Sequence, residues 1–432
     1  MDAKLIVDEV RLTPILISDP PLLNVQGVHQ PYTPRLVVEV ITRGGVSGLG
    51  ETYGDTVYLD LARPLAEALP GHAVTDVNTL FALAATTDPA VGDGEAEAGV
   101  DAAGLRGVRT ADKLRLSVVS AFETACLDAL GRTLGLPVHA LLGGKVRDSV
   151  EYSAYLFHRW AEHPAADGRD RPTDDWGPAL DPAGIVAQAR RFERLHGFRS
   201  FKLKGGVFEP EREIAAIRAL AEAFPGRPLR LDPNGAWSVE TSLAVARELG
   251  GVLEYLEDPA SGTDAMAEIA ARTDVPLATN MCVTTFEEVP EAFAKGAVRI
   301  VLCDHHYWGG LGRTRELAAL CRTYGVGLSM HSNTHLGISL AAMTQVAATL
   351  PELHHACDTH YPWQTEDVVT TRPVFRDGRL TVSDAPGLGV DLDRAALATL
   401  HRRWLDDDGT LRNRNDKAAM HRADPDWTQG SW

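Results

Sequence analysis

No apolar run in this 432-residue sequence is long enough to cross a membrane. The opening Met1-Asp-Ala-Lys4 also lacks the basic start and apolar core of a signal peptide. Cysteine is scarce: the five thiols Cys126, Cys282, Cys303, Cys321 and Cys357 are scattered, odd in number and without a CxxC pair. That argues against a disulfide framework and suits a reducing compartment, with the thiols as small buried hydrophobes. Basic residues are outnumbered, 42 against 59 acidic ones, giving a net charge of −17. The imbalance argues against nucleic acid as a partner, because phosphate binding depends on clustered Lys and Arg. It leaves room for an anionic small molecule, since a bound cation and a few local bases dominate the field inside a pocket. A soluble, cytoplasmic protein with no membrane partner is expected.

What the sequence does have is 44% hydrophobic residues, ample for a buried core, and a repeated punctuation. Six short apolar runs each end on a polar residue able to bind a metal or move a proton. Arg199–Leu203 ends on Lys204, Pro228–Leu231 on Asp232, and Leu253–Leu256 on Glu257. Pro276–Thr279 ends on Asn280, Val298–Cys303 on Asp304, and Val326–Met330 on His331. The intervals are 28, 25, 23, 24 and 27 residues, close to the roughly 30 that a βαβ unit takes. The segments between them read as helices; Pro210–Phe224, for example, puts Ile214, Ile217, Leu220 and Ala221 on one face. Val150–Tyr155 supplies a strand before this series, and Leu353–Cys357 supplies an eighth, leading to Asp358-Thr-His360. Eight parallel strands feeding helices predict an α/β barrel whose site lies at the C-terminal strand ends.

A barrel of about 250 residues leaves material for a second domain. Lys4–Leu16 reads as a strand, and Arg35–Ile41 with Val46–Glu51 as a hairpin around Arg43-Gly44-Gly45. The loop Leu22–Tyr32 between them carries His29. Helices follow at Leu59–Leu69 and from Ala111, the latter with Thr110 as N-cap and Gly135 and Pro137 as its stop. Asp88–Val108 has little pattern and reads as a lid or a disordered loop. Strands followed by helices make this an α+β domain. After the barrel, Pro373–Val382 predicts a hairpin around Asp377-Gly378, whereas His401–Trp432 shows no usable pattern.

The chemistry follows from the residue types. Asp232, Glu257 and Asn280 offer only oxygen ligands on successive strands, which suits Mg²⁺ better than Zn²⁺. Lys202 and Lys204 point the same way from one strand. Two adjacent ammonium groups should depress each other's pKa and make a base. Asp304 held against His331 should fix its tautomer and raise its basicity, giving a second base. A metal flanked by two bases is equipment for taking a proton from the carbon beside a carboxylate, with the enediolate stabilised by cations.

At these residues the sequence resembles the enolase superfamily, and within it the glucarate dehydratase group of acid-sugar dehydratases. The matching pieces are Phe201-Lys-Leu-Lys-Gly-Gly206, Leu231-Asp-Pro-Asn-Gly-Ala-Trp237, Leu256-Glu-Asp-Pro259, Ala278-Thr-Asn-Met281, Met330-His-Ser-Asn333 and Cys357-Asp-Thr-His360. Asn280 in place of a third carboxylate marks the glucarate dehydratase group. The resemblance implies a modified (β/α)7β TIM-like barrel spanning 146–385, under an α+β capping domain of residues 1–145 completed by 386–432. It implies Mg²⁺ on Asp232, Glu257 and Asn280, with Lys204 as one base and Lys202 neutralising the carboxylate. His331, paired with Asp304, would act from the opposite face and expel the β-hydroxyl. His29, Tyr155, Phe157, Asn234, Ser332, Asn333 and His360 match pocket-lining positions, and Arg414 matches a tail arginine that clamps the distal carboxylate. Asn415 stands where the family more often shows an acid. The implied reaction is dehydration of a hexarate to a 2-keto-3-deoxy diacid, the partner is a sugar diacid, and a homo-oligomer is expected. Two alternatives stay open: a related dehydratase or epimerase for another diastereomer, and a non-catalytic sugar-acid-binding paralogue.

Overall fold

The computed structural model describes residues 2–86, 111–164 and 173–432. The proposed lid at Asp88–Val108 and the Thr110 cap lie outside the described residues. The N-terminal part runs β1 (Val7–Ser18), β2 (Leu23–Asn24), β3 (Gly27–Val28), β4 (Tyr32–Thr42), β5 (Ser47–Tyr53), α1 (Thr56–Ala68), α2 (Val77–Ala85), α3 (Ala111–Leu134) and α4 (Val138–Leu141). Strands and helices then alternate: β6 (Ser149–Phe157), α5 (Pro182–His196), β7 (Phe201–Lys204), α6 (Pro210–Ala223), β8 (Leu229–Asp232), α7 (Val239–Glu248), β9 (Tyr255–Glu257) and α8 (Thr263–Ala270). The alternation continues through β10 (Leu277–Thr279), α9 (Val289–Ala294), β11 (Ile300–Cys303), α10 (Leu311–Tyr324), β12 (Gly327–Met330), α11 (Gly337–Ala347) and β13 (Cys357–Thr359). The chain ends with β14 (Arg379–Thr381), α12 (Arg394–Asp406) and α13 (Asp416–Ala423).

Strands β6 to β13 are the expected parallel barrel, ordered β12-β11-β10-β9-β8-β7-β6-β13. Local chemistry fixes the elements between them. In α5, Asp181 caps the N-terminus by accepting from the Gly184 N–H, Pro182 opens the first turn, and left-handed Gly197 closes the last. Asp377 and Gly378 both take positive φ, so the expected tight hairpin forms there, and its outgoing strand β14 pairs with β6.

The eighth strand is displaced from its expected place. It begins at Cys357, and Leu353 makes only an isolated bridge to Leu328. At this seam the Ser329 hydroxyl donates to the Ala356 carbonyl at 3.0 Å, so a side chain replaces ladder bonds. Leu22–Tyr32 is likewise more ordered than a plain loop, holding the two-residue ribbon of β2 and β3. The first residues, Ala3–Leu5, form a 3-10 turn, and β1 starts only at Val7.

A three-stranded antiparallel sheet, β1-β4-β5, faces α3. Here Gly48 and Gly50 are required by contact: an added Cβ would lie 2.0 Å from the Ala125 carbonyl oxygen and 1.9 Å from that of Ala121. Two acids from this region reach over to the barrel and cap helices that follow site-bearing strands. Glu51 accepts from the N–H groups of Leu336 and Ser339, at the start of α11. Glu123 accepts from those of Leu311 and Gly312, at the start of α10.

These two acids differ in charge balance. Arg35 pairs with Glu51 at 2.6 Å and, against burial, holds it below its usual range. For Glu123 burial wins over its two N–H donors and pushes the carboxyl up to about 7. Between pH 4.5 and 7 the folded chain therefore keeps a proton that the unfolded chain has lost, so stability falls as pH rises. Glu123→Gln is expected to remove roughly 2–3 kcal/mol of the stability difference between pH 5 and pH 8. Urea unfolding at both pH values measures it; identical pH dependence in the two proteins would refute the assignment.

Candidate active site

Strand ends deliver the expected residues to one rim. Lys204 on β7 lies in register with Asp232 on β8, and its ammonium sits 2.7 Å from Asp232 Oδ2. Lys202, two residues earlier on the same face, is wholly buried. It donates to Glu257 at 2.6 Å and to Asp358 at 2.7 Å, and lies 3.4 Å from Asp232. The Tyr155 ring stands 4.7 Å from the Lys202 ammonium and 5.6 Å from that of Lys204, while its hydroxyl donates to Asp232 at 3.2 Å.

The expectation that the two lysines depress each other does not hold for Lys202. Burial opposes its charge, but Asp358, Glu257 and Asp232 outweigh burial and hold it well above its ordinary value. Asp358 is itself held at 3.2 Å by Arg230.

The expected metal set fits a hard divalent cation. Asp232 and Glu257 are fully buried, and burial together with the Asp232 charge pushes Glu257 well above its usual range. Crowded carboxylates in that state call for additional positive charge. Asn280 is aimed by Asp258, which accepts from the Asn280 N–H at 2.8 Å and from the Thr279 hydroxyl at 2.5 Å. Asn234, at φ 52°, gives its backbone and side-chain N–H groups to Asp232 Oδ1 at 3.1 and 2.8 Å.

His331 follows β12, and its Nδ1 lies 3.1 Å from Asp304 Oδ2. Burial outweighs this partner, so His331 falls below its ordinary value, against the expectation of raised basicity. The Tyr307 ring stacks on His331 with centroids 5.8 Å apart.

Farther out, His29 Nδ1 meets Asp19 at 3.1 Å, and the His29 ring stacks on His360 at 6.1 Å. Burial pushes His360 down to about 3. Arg414 donates through Nε and Nη2 to Asp416, the latter at 2.9 Å, and its Nη1 lies 3.6 Å from Asp19. Asn415 caps α13 by accepting from the Ala418 N–H, and Asp416 one residue later supplies the acid beside Arg414. The hard-to-place tail is thereby located. Asp416 also accepts from Asn24 Nδ2 and the Gln30 N–H, stitching the two chain ends together.

One cavity joins these parts, lined by His29, Tyr155, Phe157, Lys204, Asn234, Asn280, Tyr307, His331, Ser332, Asn333, His360 and Arg414. Lys202, Asp232, Glu257 and Asp304 stand just behind this lining. Tyr307 was not anticipated; as an aromatic residue three places after Asp304, on a strand-end loop, it carried a signal. Asp358 lay inside a matched motif and, as a charge in a buried strand, required a cation partner. The arrangement presents an amine and an imidazole to one small polar space, with the Asp232 and Glu257 carboxylates behind it.

Residues 184–396 match the family model described as enolase C-terminal domain-like. The chain is 71% identical over 431 residues to a probable glucarate dehydratase of Streptomyces coelicolor, covering 100% of this chain and 99% of that one. It is 52% identical to an enolase from Thermobispora bispora crystallised with magnesium and formate, covering 99% of both chains with a TM-score of 0.92. A Pseudomonas fluorescens enolase with bound magnesium, potassium and tartrate is 46% identical, with 98% of both chains covered and a TM-score of 0.92.

Proposed function

This chain belongs to the enolase superfamily as a carbon–oxygen lyase of the acid-sugar dehydratase kind, and on that premise we propose that it dehydrates a D-glucarate-like hexarate. The product is the 5-keto-4-deoxy (2-keto-3-deoxy) diacid. The observation that carries the reading is the convergence of Lys204 and His331, from separate barrel strands, on one cavity. The matching probable glucarate dehydratase supports the substrate class.

In this reading Lys204 takes the C5 proton of one epimer and His331 that of the other. The electron pair left behind spreads into the adjacent carboxylate, where the Lys202 ammonium offsets its charge. Protonated His331 then donates to the departing β-hydroxyl, which leaves as water. Asp232, Glu257 and Asn280 would hold Mg²⁺, whose charge favours ionisation next to a carboxylate. His29, His360 and Arg414 hold the distal end of the sugar acid, and Phe157 walls it off. Residues 1–145 with 386–432 form the capping domain over the 146–385 barrel, and the enzyme works in the cytoplasm as a homo-oligomer.

A panel of hexarate diastereomers assayed for release of a 2-keto-3-deoxy product tests the function, and no release from any of them would refute it. Full turnover after exhaustive chelation would refute the metal. Arg414→Ala is expected to lower kcat/KM for hexarates about ten- to a hundredfold, because a hydrogen bond to a charged group contributes roughly 1.5–3 kcal/mol. Aldonates, lacking the second carboxylate, should change little. Equal wild-type turnover of monoacids and diacids would count against that role.

A further inference from the structure

The interior of this barrel departs from the branched apolar layers that such strands ordinarily enclose. Arg230 on β8 stands in register with Lys202 on β7, and neither side chain is exposed. Arg230 Nε donates to Glu254 at 2.6 Å. Its Nη1 donates to the Ala356 carbonyl at 2.8 Å and to Asp358 Oδ1 at 3.2 Å. Asp358 gives its other oxygen, Oδ2, to Lys202 at 2.7 Å. Lys202 in turn donates to Glu257 at 2.6 Å and lies 3.4 Å from Asp232. Charges of alternating sign thus run from Glu254, which also holds His355 at 3.0 Å, to the carboxylates at the strand ends.

Three carboxylates compete for one ammonium, and a buried carboxylate left with too little positive charge is costly. Alone, Asp358 would draw Lys202 away from Glu257 and Asp232. Arg230 takes up one of its oxygens and weakens that pull. Closing the barrel seam does not require this contact, because the Ser329 hydroxyl already donates to the Ala356 carbonyl at 3.0 Å.

We propose that Arg230 is a positioning residue: by holding Asp358 it keeps the Lys202 ammonium on Glu257 and Asp232, at the edge of the cavity. The placement of Lys202 stands on the ion-pair geometry, whereas its consequences for magnesium and turnover rest on the dehydratase reading. Without Arg230, Lys202 shifts toward Asp358. Glu257 and Asp232 then attract a cation more strongly, and less positive charge reaches the enediolate. Without the Asp358 charge the reverse holds, and Lys202 competes harder with the metal.

Calorimetric titration with magnesium separates this from a merely structural role. Arg230→Met should bind magnesium about tenfold more tightly than wild type, and Asp358→Asn about tenfold more weakly. The double variant, losing both charges together, should return close to the wild-type affinity. Weaker binding in both single variants and still weaker binding in the double would overturn the proposal. If Arg230→Met fails to fold, the double variant still decides, since binding no tighter than that of Asp358→Asn would refute the coupling. With hexarates, Arg230→Met should lower kcat about tenfold at unchanged KM, and a raised KM at unchanged kcat would contradict the assigned role. A crystal structure of Arg230→Met in chelator should show the Lys202 ammonium moved toward Asp358 and off Glu257. An unmoved ammonium would overturn the proposal whether or not the wild type binds magnesium.

Discussion

His331→Asn is expected to abolish dehydration of both C5 epimers while leaving one partial reaction intact. Asparagine keeps the size and polarity of the site but cannot carry a proton, and general acid–base catalysis contributes roughly 10²–10⁴-fold per group. The epimer facing Lys204 should still exchange its C5 proton with deuterated solvent, because Lys204 reaches that proton independently. Lys204→Ala should remove exchange for that epimer and spare exchange at the other. Proton NMR of each diastereomer in deuterium oxide separates the cases. The lowered proton affinity of His331 adds a pH signature. The epimer that needs His331 as acid should slow as pH rises through the His331 pKa, and the epimer that needs it as base should quicken. Normal dehydration by His331→Asn would remove histidine from the mechanism.

The second large effect concerns Lys202, one cation serving three buried carboxylates. Removing one partner of a buried ion pair costs about 3–5 kcal/mol, since the remaining charges are left unmatched. Lys202→Met is therefore expected to lower stability by about that much in chelator. Magnesium should raise the melting temperature of the variant more than that of the wild type, because no ammonium competes with the ion for Glu257 and Asp232. Equal melting temperatures in chelator, or a smaller magnesium response in the variant, would contradict this.

The barrel was legible because its strand-ending residues recur at βα spacing, and Lys204, Asp232, Glu257, Asn280, Asp304 and His331 all stand at or next to strand ends. The two proton affinities were misread for one physical reason. Sequence shows that Lys202 neighbours Lys204 and that Asp304 can meet His331, but not how deeply any of them is buried. Depth brings Asp358 and Glu257 onto Lys202, and depth overrides Asp304 at His331. Contacts between distant segments were equally hidden. Nothing in the pattern around Asp416 indicates that it meets Asn24. Helix α2 was missed because its nine residues follow a stretch of mixed character. The unpatterned tail is positioned instead by side-chain bonds such as Asn413 to Thr56 and Arg414 to Asp55.

The joining of His29 to Arg414 across one cavity has a temporal meaning. A ribosome makes the first roughly 385 residues before the second, which at about 5–20 residues per second is a wait of about 20–80 seconds. For most of that interval the nascent β1-β4-β5 sheet lacks α12, and Asp19 and Asn24 lack their tail partners. The barrel and its carboxylates can be complete before translation ends, whereas the distal half of the cavity cannot. A chain stalled before residue 411 would carry Lys204 and His331 but not Arg414, so the cavity stays without its tail residue until the chain is almost fully made.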